Sequence, residues 1–405
     1  MANASPLRTE RLYYADSYLA DFTARVIATT TIDSLPAVAL DRSAFYPEGG
    51  GQPADWGTLN GMALRDLRVE GALVWHLLDR QAEGLAVGAE VRGALDWARR
   101  FDHMQQHCGQ HILTAAFITA CGAPTVSFHL SANSVTIDLD TVALSGAQVA
   151  QAEALANTVI WEDRAIDAHF VSAAELATIA LRKPPSVTDN VRVVSITDFD
   201  HSACGGTHPR RTGAVGMVVI RGWSRQKGGL RVEFACGGRA LHDYRRLSEV
   251  AGQAAGALSV RVDELATAVG KIQATNEILR KELEQARAEL LAIVAERLYA
   301  EAEQADAAHI VCRAETGSPE QLRALAQQIA ARPGGVALLG VAGDRAHLVV
   351  ACAPDSGRDA RTLLQAGLPL VAGKGGGSPQ LAQGGGPQVA GFAAALAALL
   401  TEARG

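Results

Sequence analysis

The sequence lacks any run of about twenty apolar residues, the length a membrane-spanning helix needs. Its first stretch, MANASPLRTERLYY, lacks the basic-then-apolar layout of an export signal, so a cytoplasmic chain is expected. Cysteine is scarce. Six thiols, at positions 108, 121, 204, 236, 312 and 352, are too scattered for a disulfide framework and read as free thiols or metal ligands. Positive charge is not in excess: the net charge of −6 excludes a chain coated in basic residues, although a local basic path to nucleic acid remains open. Phosphate-loop signatures are missing too. The late glycine stretch AGKGGGSPQLAQGGGPQVAGF fits neither the P-loop spacing nor GxGxxG.

What is present describes a multidomain α+β protein. The 405 residues are 48% hydrophobic, with a mean hydropathy of +0.08, and two to four domains are the natural expectation. Residues 1–95 hold short strand-like segments bounded by Gly, Pro or Asp and predict a small β-barrel-like domain. Residues 96–240 mix helical runs with alternating segments such as SVTIDLD, an α+β layout. Residues 241–305 contain no proline and predict a long helix. Residues 306–405 read as a small α/β domain.

Within the helical zone, Leu265, Ile272, Leu279, Ala286 and Ile293 recur every seven residues, and Val269, Asn276, Leu283 and Leu290 form the second register. About four heptads of this kind predict a coiled coil or helical hairpin, with Asn276 at an a position fixing register. Self-association of two chains and packing along a neighbouring domain are both open.

Two half-motifs point to a metal. His107 and His111 are four apart in a helical run, which places both imidazoles on one face. Cys204 and His208 flank Gly205-Gly206-Thr207, where glycine lets the chain fold tightly. Three imidazoles and one thiolate suit Zn²⁺, whereas Mg²⁺ or Ca²⁺ prefers carboxylates. His103 lies on the same helical face as a reserve ligand or a solvated histidine. Cys108 follows His107 where a metalloprotease helix carries its glutamate base, so that chemistry is excluded. A third stretch, FYPEGGGQPADWG (45–57), reads equally as a phosphate cradle, a hydrolytic glutamine loop or a tight turn.

The ordered segments FYPEGGGQPADWG, HCGQHIL, TVSFHL and CGGTHPRRTG resemble the editing region of alanyl-tRNA synthetases and, more closely, the free-standing AlaX editing proteins. GKGGGSPQLAQGGG resembles the glycine-rich end of the DHH-associated domain that the long AlaX form carries. Ala214 and Gln380 depart from the pattern, which often has acidic residues there.

The resemblance implies a hydrolase that removes chiefly serine, with glycine as the second candidate, from mischarged tRNA(Ala). A non-catalytic zinc-stabilised tRNA-binding module and a seryl-tRNA(Thr) deacylase are the alternatives. It assigns the zinc ligands to His107, His111, Cys204 and His208. It gives Gln52 a role as donor or water-orienting group at the ester, with Gly50 and Gly51 making room for the tRNA 3′ end. Thr58, Thr125, Ser127, His129 and Thr207 become candidates for reading the serine hydroxyl. Arg210, Arg211, Arg221, Arg225, Lys227 and Arg231 become a basic rim for phosphates. Lys374 and the C-terminal domain would hold the tRNA body, and two chains would associate through the helical and C-terminal regions.

Overall fold

In the strand Asp21–Ile32, Phe22, Ala24 and Val26 are buried while Asp21, Thr23 and Arg25 face water, the period-two pattern of a half-buried strand. The computed structural model describes residues 7–79, 84–185, 189–226, 228–305 and 309–405, which divide into two units, Met1–Gln253 and Ala254–Gly405. In the first unit, Asp21–Ile32 begins an antiparallel ladder through Leu35–Leu40, Leu73–Leu78, Met62–Glu70, Gly57–Leu59 and Glu90–Leu95. The last strand pairs back onto the first and closes the sheet. Phe22, Val26, Leu40, Phe45, Leu59 and Leu78 fill its interior.

The helix Trp97–Cys121 follows. Asp96 caps its start by accepting from the Arg99 amide, and Gly122, at φ 63°, ends it in the left-handed conformation. From His103 to Phe117 every residue but Gln105 is buried, as befits a helix enclosed on all sides. It packs with the helix Gly146–Trp161 against a four-stranded antiparallel sheet ordered Val218–Gln226, Gly229–Cys236, Val135–Leu139, Thr125–Leu130. A three-stranded antiparallel sheet, Ile166–Val171, Val191–Ile196 and Asp200–Ala203, completes the unit. Arg100, fully buried, ties the central helix to the closed sheet. Its guanidinium pairs with Asp55 and donates to the carbonyls of Ser17 at 2.8 Å and Ala44 at 2.6 Å.

The second unit is built on a mixed five-stranded sheet, ordered Ile310–Ala314, Val336–Ala342, Ala346–Cys352, Leu381–Gly386, Lys374–Gly377, with only the first pair parallel. Alternation again sorts its two faces: Val336 and Leu338 join the helices Ala360–Gly367 and Phe392–Arg404, while Ala337 and Leu339 meet the helix Pro319–Ala330. Among the described residues no helix is long and apolar enough to cross a membrane.

The expectation of one long helix over 241–305 is corrected. There are two, Gly237–Leu258 and Leu265–Ala305. Ser259 takes φ 53°, its amide donates to the Gly256 carbonyl at 3.1 Å, and the Val260 amide donates to Ala255 at 3.0 Å. This pair of bonds is a Schellman stop, which a proline-free sequence conceals. The seven-residue seam lies within the second helix. Val269, Ile272, Leu279, Leu283, Leu290 and Ile293 are all exposed on it, and the helix is buried only near its end, at Ala295 and Leu298.

Candidate metal centre and cleft

One helical turn carries His107 beside His111, with ring centroids 5.1 Å apart. The strand Asp200–Ala203 delivers Cys204 to them, and the turn after it returns His208. The Cys204 Sγ stands 3.2 Å from His107 Nε2 and 3.3 Å from His208 Nε2. Ligand atoms of all four residues lie within 4.8 Å of one another. Gly206 is required for this closure, because a Cβ there would meet the His107 ring at 2.4 Å. Arg192 holds the same turn by donating to the carbonyls of Cys204 at 3.0 Å and Gly206 at 2.8 Å.

Burial governs the electrostatics. It lowers His107 to about 3 and drives His111 and His208 well below the ordinary histidine value, so all three rings are neutral and keep a lone pair. It also raises the Cys204 thiol. A thiol that resists ionising among three neutral imidazoles is a set completed by a cation, which supplies the charge that burial withholds. The Nδ1 atoms of His111 and His208 are buried without a protein partner. The donor set therefore fits a metal ion.

Gln52 lies beneath this cluster and does not face a substrate. It is fully buried. Its Oε1 lies 3.0 Å from His107 Nδ1 and accepts from the Thr207 amide at 3.2 Å, while its Nε2 donates to Thr207 Oγ1 at 2.8 Å. Accepting from Nδ1–H leaves His107 Nε2 as the free lone pair, the tautomer a metal needs. The expected donor to the ester is thus corrected to an orienting group, since both ends of the amide are occupied. The glycines have a related role. Gly49 and Gln52 exchange both backbone hydrogen bonds around Gly50 and Gly51, at φ 57° and 82°, a two-residue turn in left-handed geometry. A Cβ on Gly51 would meet Phe128 at 2.8 Å, whereas Gly50 lines the cleft above the metal ligands.

That cleft is about 880 Å³. His107, His111 and Cys204 form part of its lining, with Gln110, Thr114, Thr125, Ser127 and Phe128 on one side and Tyr14, Phe170, Arg182, Lys183 and Arg192 among the rest. Gln110 donates to Thr114 Oγ1 at 2.9 Å, and the hydroxyls of Thr114 and Thr125 lie 2.9 Å apart.

The family described as threonyl and alanyl tRNA synthetase second additional domain matches residues 191–233, the stretch that contains Cys204 and His208. The alanyl-tRNA editing protein AlaX-L of Pyrococcus horikoshii is 28% identical over 385 residues, covering 93% of this chain and 94% of that protein. The alanine–tRNA ligases of Pyrococcus abyssi and Methanoregula boonei are 30% and 32% identical, over 93% and 94% of this chain. The chain spans 42% of the length of each ligase.

The remaining expected site residues scatter. Ser127 lines the cleft and donates to Asp138 at 2.5 Å, and Arg231 holds the same carboxylate at about 2. His129 is exposed two positions along that strand and is not among the cleft-lining residues. Thr207 is fully buried on Gln52. Thr58 sits in the closed sheet, paired with Ala63 and Ala94, away from the cleft lining. The basic rim is largely neutralised: Arg210 pairs with Asp16, Arg211 with Asp163, Arg221 with Asp243 and Glu233, and Arg231 with Asp138. Arg225 is exposed at the end of its strand. Lys227 lies outside the described residues, and Lys374 is exposed in the second unit. Sequence reasoning missed Gln110, Thr114, Arg182, Arg192 and Asp200. Gln110 and Thr114 lie within one turn of His111, so helical spacing from the candidate ligands was the signal that could have found them.

Proposed function

We propose that this chain is a trans-acting hydrolase that removes serine, and secondarily glycine, from mischarged tRNA(Ala) in the cytoplasm, with Zn²⁺ held by His107, His111, Cys204 and His208. The observation that carries the reading is the four-residue cluster, three of whose members, His107, His111 and Cys204, line a cleft of about 880 Å³. Bound there, the zinc supplies a Lewis-acidic point beside the ester. The chain's residues do the positioning. Gln52 fixes the tautomer of His107, and Arg182 holds the His111 carbonyl at 3.0 Å while paired with Asp200 at 2.8 Å. An aminoacyl ester is already activated, so holding it in one orientation against the cleft wall provides much of the acceleration. The hydroxyls of Thr114, Thr125 and Ser127 pair with a serine hydroxyl in the cleft. Alanine, which lacks that hydroxyl, offers them no such bond.

The protein acts as a homodimer in this reading. With Leu279 and Ile293 at d and Leu283 and Leu290 at a, the flanking e positions are Arg280 and Arg287 and the g positions Glu282 and Glu289. Parallel chains bring Glu282 to Arg287 of the second copy, whereas antiparallel chains oppose like charges. The Asn276 side chains meet only in the parallel arrangement. The exposed seam supports this association.

The test is deacylation of tRNA(Ala) charged with serine, glycine or alanine, and of seryl-tRNA(Thr), with bound metal measured on the same sample. Hydrolysis of seryl-tRNA(Ala) that disappears on chelation supports the proposal. Tight tRNA binding without hydrolysis would establish a binding module instead.

A further inference from the structure

Three basic residues line the cleft, and their partners differ. Arg182 is neutralised by Asp200. Arg192 is only 6% exposed, yet it has no carboxylate partner among the described residues: it bonds the carbonyls of Cys204 and Gly206 and lies 5.3 Å from the face of Tyr14, and the Cys204 thiol is its foremost anionic neighbour when ionised. Its Nε is buried without any acceptor. Lys183 is exposed on the cleft wall and forms no ion pair among the described residues. Arg100, the other deeply buried guanidinium of this unit, has Asp55. A buried guanidinium without a carboxylate partner is unfavourable unless a ligand adds negative charge.

We propose that Arg192 and Lys183 form an anion subsite that takes the phosphate 5′ to the terminal adenosine of the acylated strand. Tyr14 and Phe170, which meet edge to face at 5.3 Å in the same lining, give the adenine an aromatic wall. The inference rests on the deacylase reading and adds to it a second point of attachment. Substrate is then held at the ester and at its last phosphate, which fixes the reacting carbonyl between them. Holding the Cys204 turn explains two of Arg192's hydrogen bonds. It explains neither the missing carboxylate nor Lys183.

The experiment compares adenosine with adenosine 5′-monophosphate as ligands of the zinc-loaded full chain, by titration calorimetry at low salt. The phosphate should tighten binding about tenfold, a step of about 1.4 kcal/mol, and raising the salt should erode that ratio. Lys183→Ala, an exposed substitution that leaves the fold intact, should bring the ratio close to one. Arg192→Gln, which keeps a donor for the two carbonyls but removes the charge, should do the same. Equal affinity for the two ligands, no detectable binding of either at millimolar concentration, or a ratio unchanged in Lys183→Ala would overturn the subsite. Binding needs no turnover, so the two readings fail separately. A chain that hydrolyses seryl-tRNA(Ala) but does not distinguish the ligands loses the subsite alone. One that prefers the phosphate yet leaves seryl-tRNA(Ala) intact loses the deacylase reading.

Discussion

The two units bury different chemistry. Among the described residues, every buried polar or charged side chain lies between Thr9 and Thr212, in the first unit, while the second packs its two sheet faces with apolar side chains alone. Desolvating Arg100, His103, Gln106, His107 and His111 is unfavourable unless each finds a partner, so a fold built for stability alone would not collect them. The contrast teaches where each unit works. The first has its chemistry inside, around a cleft, and the second presents its features outside, on the seam of Leu265–Ala305 and the glycine-rich edge strand Lys374–Gly377.

The largest test of that contrast is Cys204→Ala. Loss of a ligand should lower metal affinity by more than about 100-fold, beyond the change expected for an outer residue, and abolish deacylation. Metal analysis after dialysis, with circular dichroism to verify folding, measures it. Next is Arg100→Met. Leaving Asp55 buried without its cation should cost about 3–5 kcal/mol, read from urea unfolding of the first unit, and the double variant with Asp55→Leu should recover most of it. Gln52→Ala should weaken metal binding by about 10–100-fold and leave tRNA affinity nearly unchanged. A full rate with a full complement of metal would reduce Gln52 to a turn residue.

Acid should separate the units as well. Burial lowers His76 and His103 to about 4 from the ordinary 6.5. The unfolded chain therefore binds more protons below pH 6.5, and the stability these two residues contribute falls from there until about pH 4. Metal-free protein followed by thermal melting should show the first unit losing stability over that window, while the second, none of whose histidines is among its buried residues, changes less. The smallest effect is on association. Glu282→Arg should weaken the dimer several-fold in sedimentation, and adding Arg287→Glu should restore it. Identical sedimentation of all three proteins would remove the intermolecular pair.

The convergence of the four candidate ligands was legible because each half sits in a local pattern: a helical turn for His107 and His111, a glycine turn for Cys204 and His208. The direction of Gln52 was not. A glutamine beside glycines can face out or in, and only the arrival of Thr207 from 155 residues away decides that it faces in. The basic rim failed for the same reason, since Asp16, Asp138, Asp163 and Asp243 neutralise it from distant segments. The heptad seam was visible as a period, but the Schellman stop at Ser259 depends on backbone geometry that a serine does not announce. Arg192 was invisible because its distinction is a missing partner, which no local pattern records.

The central claim is that the buried cluster of the first unit serves ester hydrolysis on a mischarged tRNA. The most direct measurement is single-turnover deacylation of seryl-tRNA(Ala) and alanyl-tRNA(Ala) by the intact chain, with zinc content determined in parallel. The account predicts about one zinc per chain, bound by the one such cluster among the described residues, rapid loss of serine, and alanyl ester surviving on the same time scale. Equal survival of both esters with the metal in place would contradict it.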